Sequence, residues 1–153
     1  MLSLKFESHL RIPAEEFLKT LTMAGVNAEL APLVRMTIPE SFSGLNILDW
    51  PERQTLFQSW ILLFGLLPID RHTFFFESVD SGQGFSERSK SWVNQYWCHE
   101  RKVLSAKSGC KVEDTVNFKS RVPLIDMMLM PSYQLVFWLR HKNLRRRYGG
   151  SAS

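Results

Sequence analysis

Polar and apolar residues alternate from Leu2 to Ile12. Leu2, Leu4, Phe6 and Ser8 point one way, and Ser3, Lys5 and Glu7 the other, the period-two pattern of a half-buried strand. Pro13 then stands where a helix starts, with Glu15 and Glu16 in the first turn, where carboxylates suit the helix dipole. The spacing of Phe17, Leu18 and Leu21 predicts a helix over Ala14–Gly25, and Asn27 is placed to cap a second short one over Ala28–Met36, made irregular by Pro32. From Ser41 onward the helical period vanishes. Strands are predicted at Phe42–Leu48, Thr55–Leu66, His72–Val79, Phe85–Val93, Gln95–Ala106 and Cys110–Ser120. Their turns fall at Asp49-Trp50-Pro51, Leu67–Asp70, Asp80–Gly84 and Lys107–Gly109.

The last element is the longest. Arg121–Tyr148 reads as one helix in two parts, apolar on several sides from Val122 to Leu139 and abruptly basic afterwards. A surface helix needs one apolar stripe, so a helix this apolar is expected to be covered on several sides. One strand, two small helices, about six antiparallel strands and a long helix give an α+β architecture: a sheet of about seven strands wrapped around the C-terminal helix. A single domain is expected over residues 1–148, with a frayed tail at 149–153.

Composition narrows the class. With 44% hydrophobic and 12% aromatic residues the chain is globular. The first ten residues lack the basic start and apolar run of a signal peptide, and neither long apolar run suits a membrane span. Cys98 and Cys110 are too few for a disulfide scaffold and lack metal-ligand spacing, which points to reduced thiols in a cytoplasmic protein. The net charge of +4 is local: Arg140, Lys142, Arg145, Arg146 and Arg147 supply five cations, while 14 Lys and Arg against 15 acids leave Met1–Leu139 at −1.

Four groups of residues then carry a resemblance: Gly84-Phe85-x-Glu87, Trp97-x-His99-x-Arg101, Val112-x-Asp114-x-Val116-x-Phe118 followed by Arg121-x-Pro123, and Phe137-x-x-Arg140-His141-x-x-Leu144. Together with the order of elements, they resemble the helix-grip fold of the START-like, Bet v 1-like superfamily, in its bacterial polyketide cyclase/dehydrase-like branch. The resemblance implies an elongated apolar cavity between sheet and last helix.

Candidate site residues follow. Trp97, His99 and Arg101 share one strand face and offer stacking, hydrogen bonding and charge; the plainer alternative pairs His99 and Arg101 with Glu87 or Asp114. His99 with Arg101 is the weak catalytic candidate, since imidazole suits proton transfer. Phe85 and the helix stripe Ile125, Met128, Leu129, Ser132, Leu135, Val136 and Leu139 are the expected ligand-binding wall, with methionines suited to irregular apolar shapes. No hydrolase elbow, zinc-binding helix or phosphate loop is present, and His9, His72, His99 and His141 are scattered, so no metal and no cofactor are expected. The expected partner is a hydrophobic small molecule: a lipid, isoprenoid or polyketide-like compound. A cyclase/dehydratase activity is the first alternative. Contact of the basic tail with a membrane is the second; nucleic acid is not expected. Phe137, Arg140, His141, Leu144 and Tyr148 share a helix face: one reading has Arg140 and His141 guard an end of the cavity, the plainer one has cations favoured by the helix dipole, and the run Arg140–Arg147 reads as a solvated helix end.

Overall fold

The computed structural model describes residues 1–152. Strand β1 (Leu2–Leu10) is followed by α1 (Ala14–Leu18) and α2 (Met23–Leu30), then by β2 (Val34–Met36), β3 (Thr55–Leu63), β4 (Leu67–Asp80), β5 (Gly84–Ser91), β6 (Asn94–Ala106) and β7 (Gly109–Ser120). The chain ends in α3 (Asp126–Tyr148) and β8 (Gly150–Ala152). The strands form one antiparallel sheet in the order β2-β3-β4-β5-β6-β7-β1-β8. The fold is therefore α+β, with eight strands where about seven were expected.

The long meander strands alternate as their sequences require. In β7 every second residue from Cys110 to Ser120 is buried, so Val112, Asp114, Val116 and Phe118 face inward. Gly84 opens β5 at φ +147°, where a Cβ would lie 2.0 Å from the Arg101 carbonyl oxygen, so no side chain fits between β5 and β6.

Several local expectations are corrected. The first helix does not reach Gly25: it stops at Leu18, and Thr22 caps a new helix by accepting from the Gly25 amide at 3.1 Å. Asn27 caps nothing and instead bonds both backbone groups of Met36, holding β2 against α2. Phe42–Leu48 is not a strand; single 3-10 turns at Glu40–Phe42 and Ile47–Asp49 bracket it, with Ile47 and Trp50 plugged into an aromatic cluster around Phe74 and Phe76. The β3–β4 turn lies at Phe64–Leu66, so Leu67–Asp70 already belongs to the strand. Gly150–Ala152, expected to fray, pairs with Ser8–Leu10; Ser153 lies outside the described residues.

The largest correction concerns α3. Only one side of its apolar half is gripped: Leu129, Met130, Tyr133 and Val136 pack against Leu4, Val116, Phe118 and Phe137, while Met127 and Met128, and Leu124 in the turn just before the helix, are 84%, 71% and 87% exposed. Its buried residues are Phe137, Arg140, His141 and Leu144, so the run Arg140–Arg147, expected to be a solvated end, begins inside the protein. The helix packs chiefly on β1 and α2, and its N-terminal half stands off from β3 and β4. Hydrophobicity along the helix did not by itself choose the buried face; Glu29 on α2 and Asp114 on β7 draw in Arg140 and His141 beside Phe137 and Leu144.

Candidate functional site

The space between α3 and the inner face of β2–β6 is a cavity of about 460 Å³. Phe74, Phe76, Phe85, Trp97, Val136 and Phe137 supply much of its apolar surface, and Leu33, Ile61, Leu63 and Ile69 line the side toward the β3–β4 turn. Polar groups are few: Asp70, His72, Glu87, Asn94, His99, Ser132, Tyr133 and Arg140.

Behind the cavity runs a continuous buried polar network. Asp114 is fully buried; its Oδ1 accepts from Arg101 Nε at 2.8 Å and His99 Nε2 at 2.8 Å, and its Oδ2 from Arg101 Nη2 at 2.7 Å and His141 Nε2 at 2.9 Å. Arg101 Nη1 continues to Glu29 Oε1 at 2.7 Å, and Glu29 Oε2 accepts from Arg140 Nη2 at 2.8 Å. Ser8 Oγ accepts from Arg145 Nη1 at 2.8 Å, which leaves its own proton for His141 Nδ1, also at 2.8 Å. At the cavity end, Glu87 pairs with His72 and lies 3.7 Å from His99 Nδ1. Antiparallel register creates this arrangement, placing Arg101 opposite Asp114 and Glu87 opposite His99.

Burial alone would raise the pKa of each carboxyl, yet all three are lowered. The Arg101 and Arg140 guanidiniums hold Glu29 down, Arg101 and the imidazoles hold Asp114 well below the usual carboxylate range, and His72 and His99 lower Glu87. Burial also pushes the Tyr133 phenol up to about 12.

Of the residues expected to bind a ligand, Trp97, His99, Phe85, Leu129, Ser132 and Val136 line the cavity, as does Leu135. Arg101, Ile125, Met128 and Leu139 do not. Arg101 is sealed behind the wall by its two carboxylates, and Met128 turns outward from the helix. The alternative pairing of His99 and Arg101 with neighbouring acids is the arrangement found. Arg140, read as one guard of the cavity end, does line it, whereas Glu29, Asp70, Asn94 and Tyr133 were not among the expected wall or network residues. A lone acid between Val26 and Leu30 was the available signal for Glu29; the partners of Asn94 and Tyr133, 39 positions apart, left none.

Among the described residues no cluster of His, Cys, Asp and Glu could hold a metal ion, and no helix is long and apolar enough to cross a membrane. Cys98 and Cys110 are free.

A curved antiparallel sheet with a C-terminal helix laid across it and a cavity between them defines the helix-grip class, the Bet v 1-like fold implied by the sequence resemblance. Residues 8–148 match the family described as a domain of unknown function, DUF8410, and the chain belongs to that family. Among curated proteins, none matches it. Solved structures share the fold at low identity. A protein from Chromobacterium violaceum is 10% identical with a TM-score of 0.72, over 96% of this chain and 97% of its own. One from Rhodobacter sphaeroides is 14% identical with a TM-score of 0.66, over 93% of this chain and 89% of its own. The Zhui aromatase/cyclase from a Streptomyces species is 14% identical with a TM-score of 0.56, over 95% of this chain and 94% of its own.

Proposed function

We propose that this protein binds a hydrophobic small molecule between sheet and helix α3, of the lipid, isoprenoid or polyketide-like kind. The observation that carries the reading is the cavity of about 460 Å³, whose walls are mainly apolar and interrupted by a few placed polar groups, the usual character of a small-molecule site. The test is titration with the neutral fluorescent probe N-phenyl-naphthylamine, alongside native mass spectrometry of the purified protein. Saturable probe binding, competed by apolar compounds and weakened by Val136→Trp, is the expected result. A probe that stays in water at all protein concentrations refutes the reading.

A second reading, cyclase or dehydratase chemistry, is prompted by the fold shared with an aromatase/cyclase and by His99 on the wall. Both His99 nitrogens face carboxylates, Nε2 bonding Asp114 and Nδ1 lying near Glu87, so the imidazole offers the cavity its ring rather than a free nitrogen. Binding is therefore the better supported of the two. His99→Gln separates them, abolishing turnover of a cyclising substrate in the enzyme reading while leaving probe affinity unchanged.

A further inference from the structure

We infer that the ligand is an elongated, uncharged apolar molecule with a hydrogen-bond-accepting oxygen toward each end, one for Arg140 and one for Tyr133; this deepens the binding reading and rests on it. Both residues line the cavity from one face of α3, seven positions apart, which is about 10 Å along the axis. Each holds a donor that the described protein does not use. Tyr133 Oη accepts from Asn94 Nδ2 at 2.6 Å, which leaves both its own O–H and the buried Asn94 Oδ1 without a partner, so whichever way the amide is turned this pair keeps an unused donor. Arg140 gives Nη2 to Glu29, while Nη1 makes no hydrogen bond and Nε is buried without one. A guanidinium carries five N–H donors, and leaving a buried one this poorly matched is costly until an acceptor arrives. Between the two donors the wall is apolar, with Val136 and Phe137 on the helix and Trp97 and Phe74 across from it.

Charge decides what kind of oxygen fits. Glu29 and Asp114 are paired with Arg101 and Arg140 behind the wall, Glu87 is paired with His72, and Asp70 adds a further acid to the wall. A carboxylate or phosphate head would be brought close to these four carboxylates in a poorly solvated space, beside an Arg140 already paired with Glu29. A ketone, ester, amide or quinone oxygen accepts the same hydrogen bonds without that repulsion.

Displacement of bound N-phenyl-naphthylamine by length-matched biphenyls tests this. The para,para′-diacetyl compound is expected to compete about tenfold more strongly than its isosteric diisopropyl analogue, with the monoacetyl compound between them. Tyr133→Phe should bring the diacetyl compound to the level of the monoacetyl one and leave the diisopropyl compound unchanged, and Arg140→Lys should weaken the acetyl compounds alone. Equal competition by diacetyl and diisopropyl biphenyl overturns the inference while the binding reading stands; so does tightest competition by biphenyl dicarboxylate. If the probe itself does not bind, the binding reading fails first. The wild-type series decides the matter even where a variant does not fold.

Discussion

Replacing Asp114 by Asn removes one negative charge from the centre of the buried network and barely changes the side chain's shape. The carboxylate accepts four hydrogen bonds, two from Arg101 and one each from His99 and His141. An amide keeps one oxygen acceptor, but its NH2 group must face donors on the other side. Arg101 then retains only Glu29 as a charged partner, at a position that is 1% exposed. Removing one member of a buried ion pair costs about 3–5 kcal/mol, and charged hydrogen bonds contribute about 1.5–3 kcal/mol each without adding fully. About 4 kcal/mol is the expected loss, against a total of roughly 5–15 kcal/mol for a domain. For a chain of this size that lowers Tm by roughly 8–16 °C. Urea denaturation followed by tryptophan fluorescence measures it as a fall in midpoint at constant slope. Arg101→Met in the same chain should restore at least ~2 kcal/mol of that loss, because the uncompensated cation disappears with its partner. A single-variant loss under ~1 kcal/mol, or strictly additive effects in the double variant, would falsify the claim that this pair is coupled in the core.

Three further outcomes are expected. Glu29, Glu87 and Asp114 have folded pKa values below their unfolded ones, so their stabilisation is complete above the ordinary carboxylate range and is lost as pH falls toward the folded values. With all three contributing, the free energy of unfolding should fall by up to about 4 kcal/mol per pH unit as pH drops below roughly 4, read as a falling urea midpoint, and a flat midpoint there contradicts the network. Gly84→Ala places a Cβ 2.0 Å from the Arg101 carbonyl oxygen at φ +147°, so it should cost about 3 kcal/mol or more; near-native stability by circular dichroism would show that β5 and β6 part without penalty. Cys110 is fully buried and its thiol is pushed up to about 11, so iodoacetamide should modify it at neutral pH only after unfolding, as peptide mass mapping would reveal.

The meander was legible because each of its strands carries its own alternation: Val112, Asp114, Val116 and Phe118 declare one face whatever they pack against. Even Asp114 obeyed that rule, so an acid on the inward side already implied a buried cation. The helix was harder. Its spacing correctly grouped Phe137, Arg140, His141 and Leu144, but a lone helix cannot show whether cations meet water or carboxylates. That depended on Glu29, 111 residues away from Arg140, and on Ser8 and Asp114 for His141. The exposed Leu124, Met127 and Met128 misled for the converse reason, since apolarity creates a preference for cover without guaranteeing that the fold supplies it. The stripe forecast for the cavity was half right: Leu129, Ser132, Leu135 and Val136 line it, while Ile125, Met128 and Leu139 fall to either side.

Strand β6 has a consequence for how this protein is altered by design or by drift. Its inward residues step about 6.8 Å at a time through four environments. Trp97 belongs to the cavity wall, His99 to the boundary, Arg101 to the sealed charges and Val103 to the dry core against Phe17 and Leu18. The strand is thus graded in what each rung tolerates. A change at position 97 reshapes the cavity wall and also removes packing against Tyr133 and Phe137, position 99 borders both cavity and buried charges, and position 101 changes only in concert with Glu29 and Asp114. The proposed binding cavity is therefore most directly reshaped from the Trp97 end, and it cannot be lengthened past His99 without rebuilding the charged floor behind it.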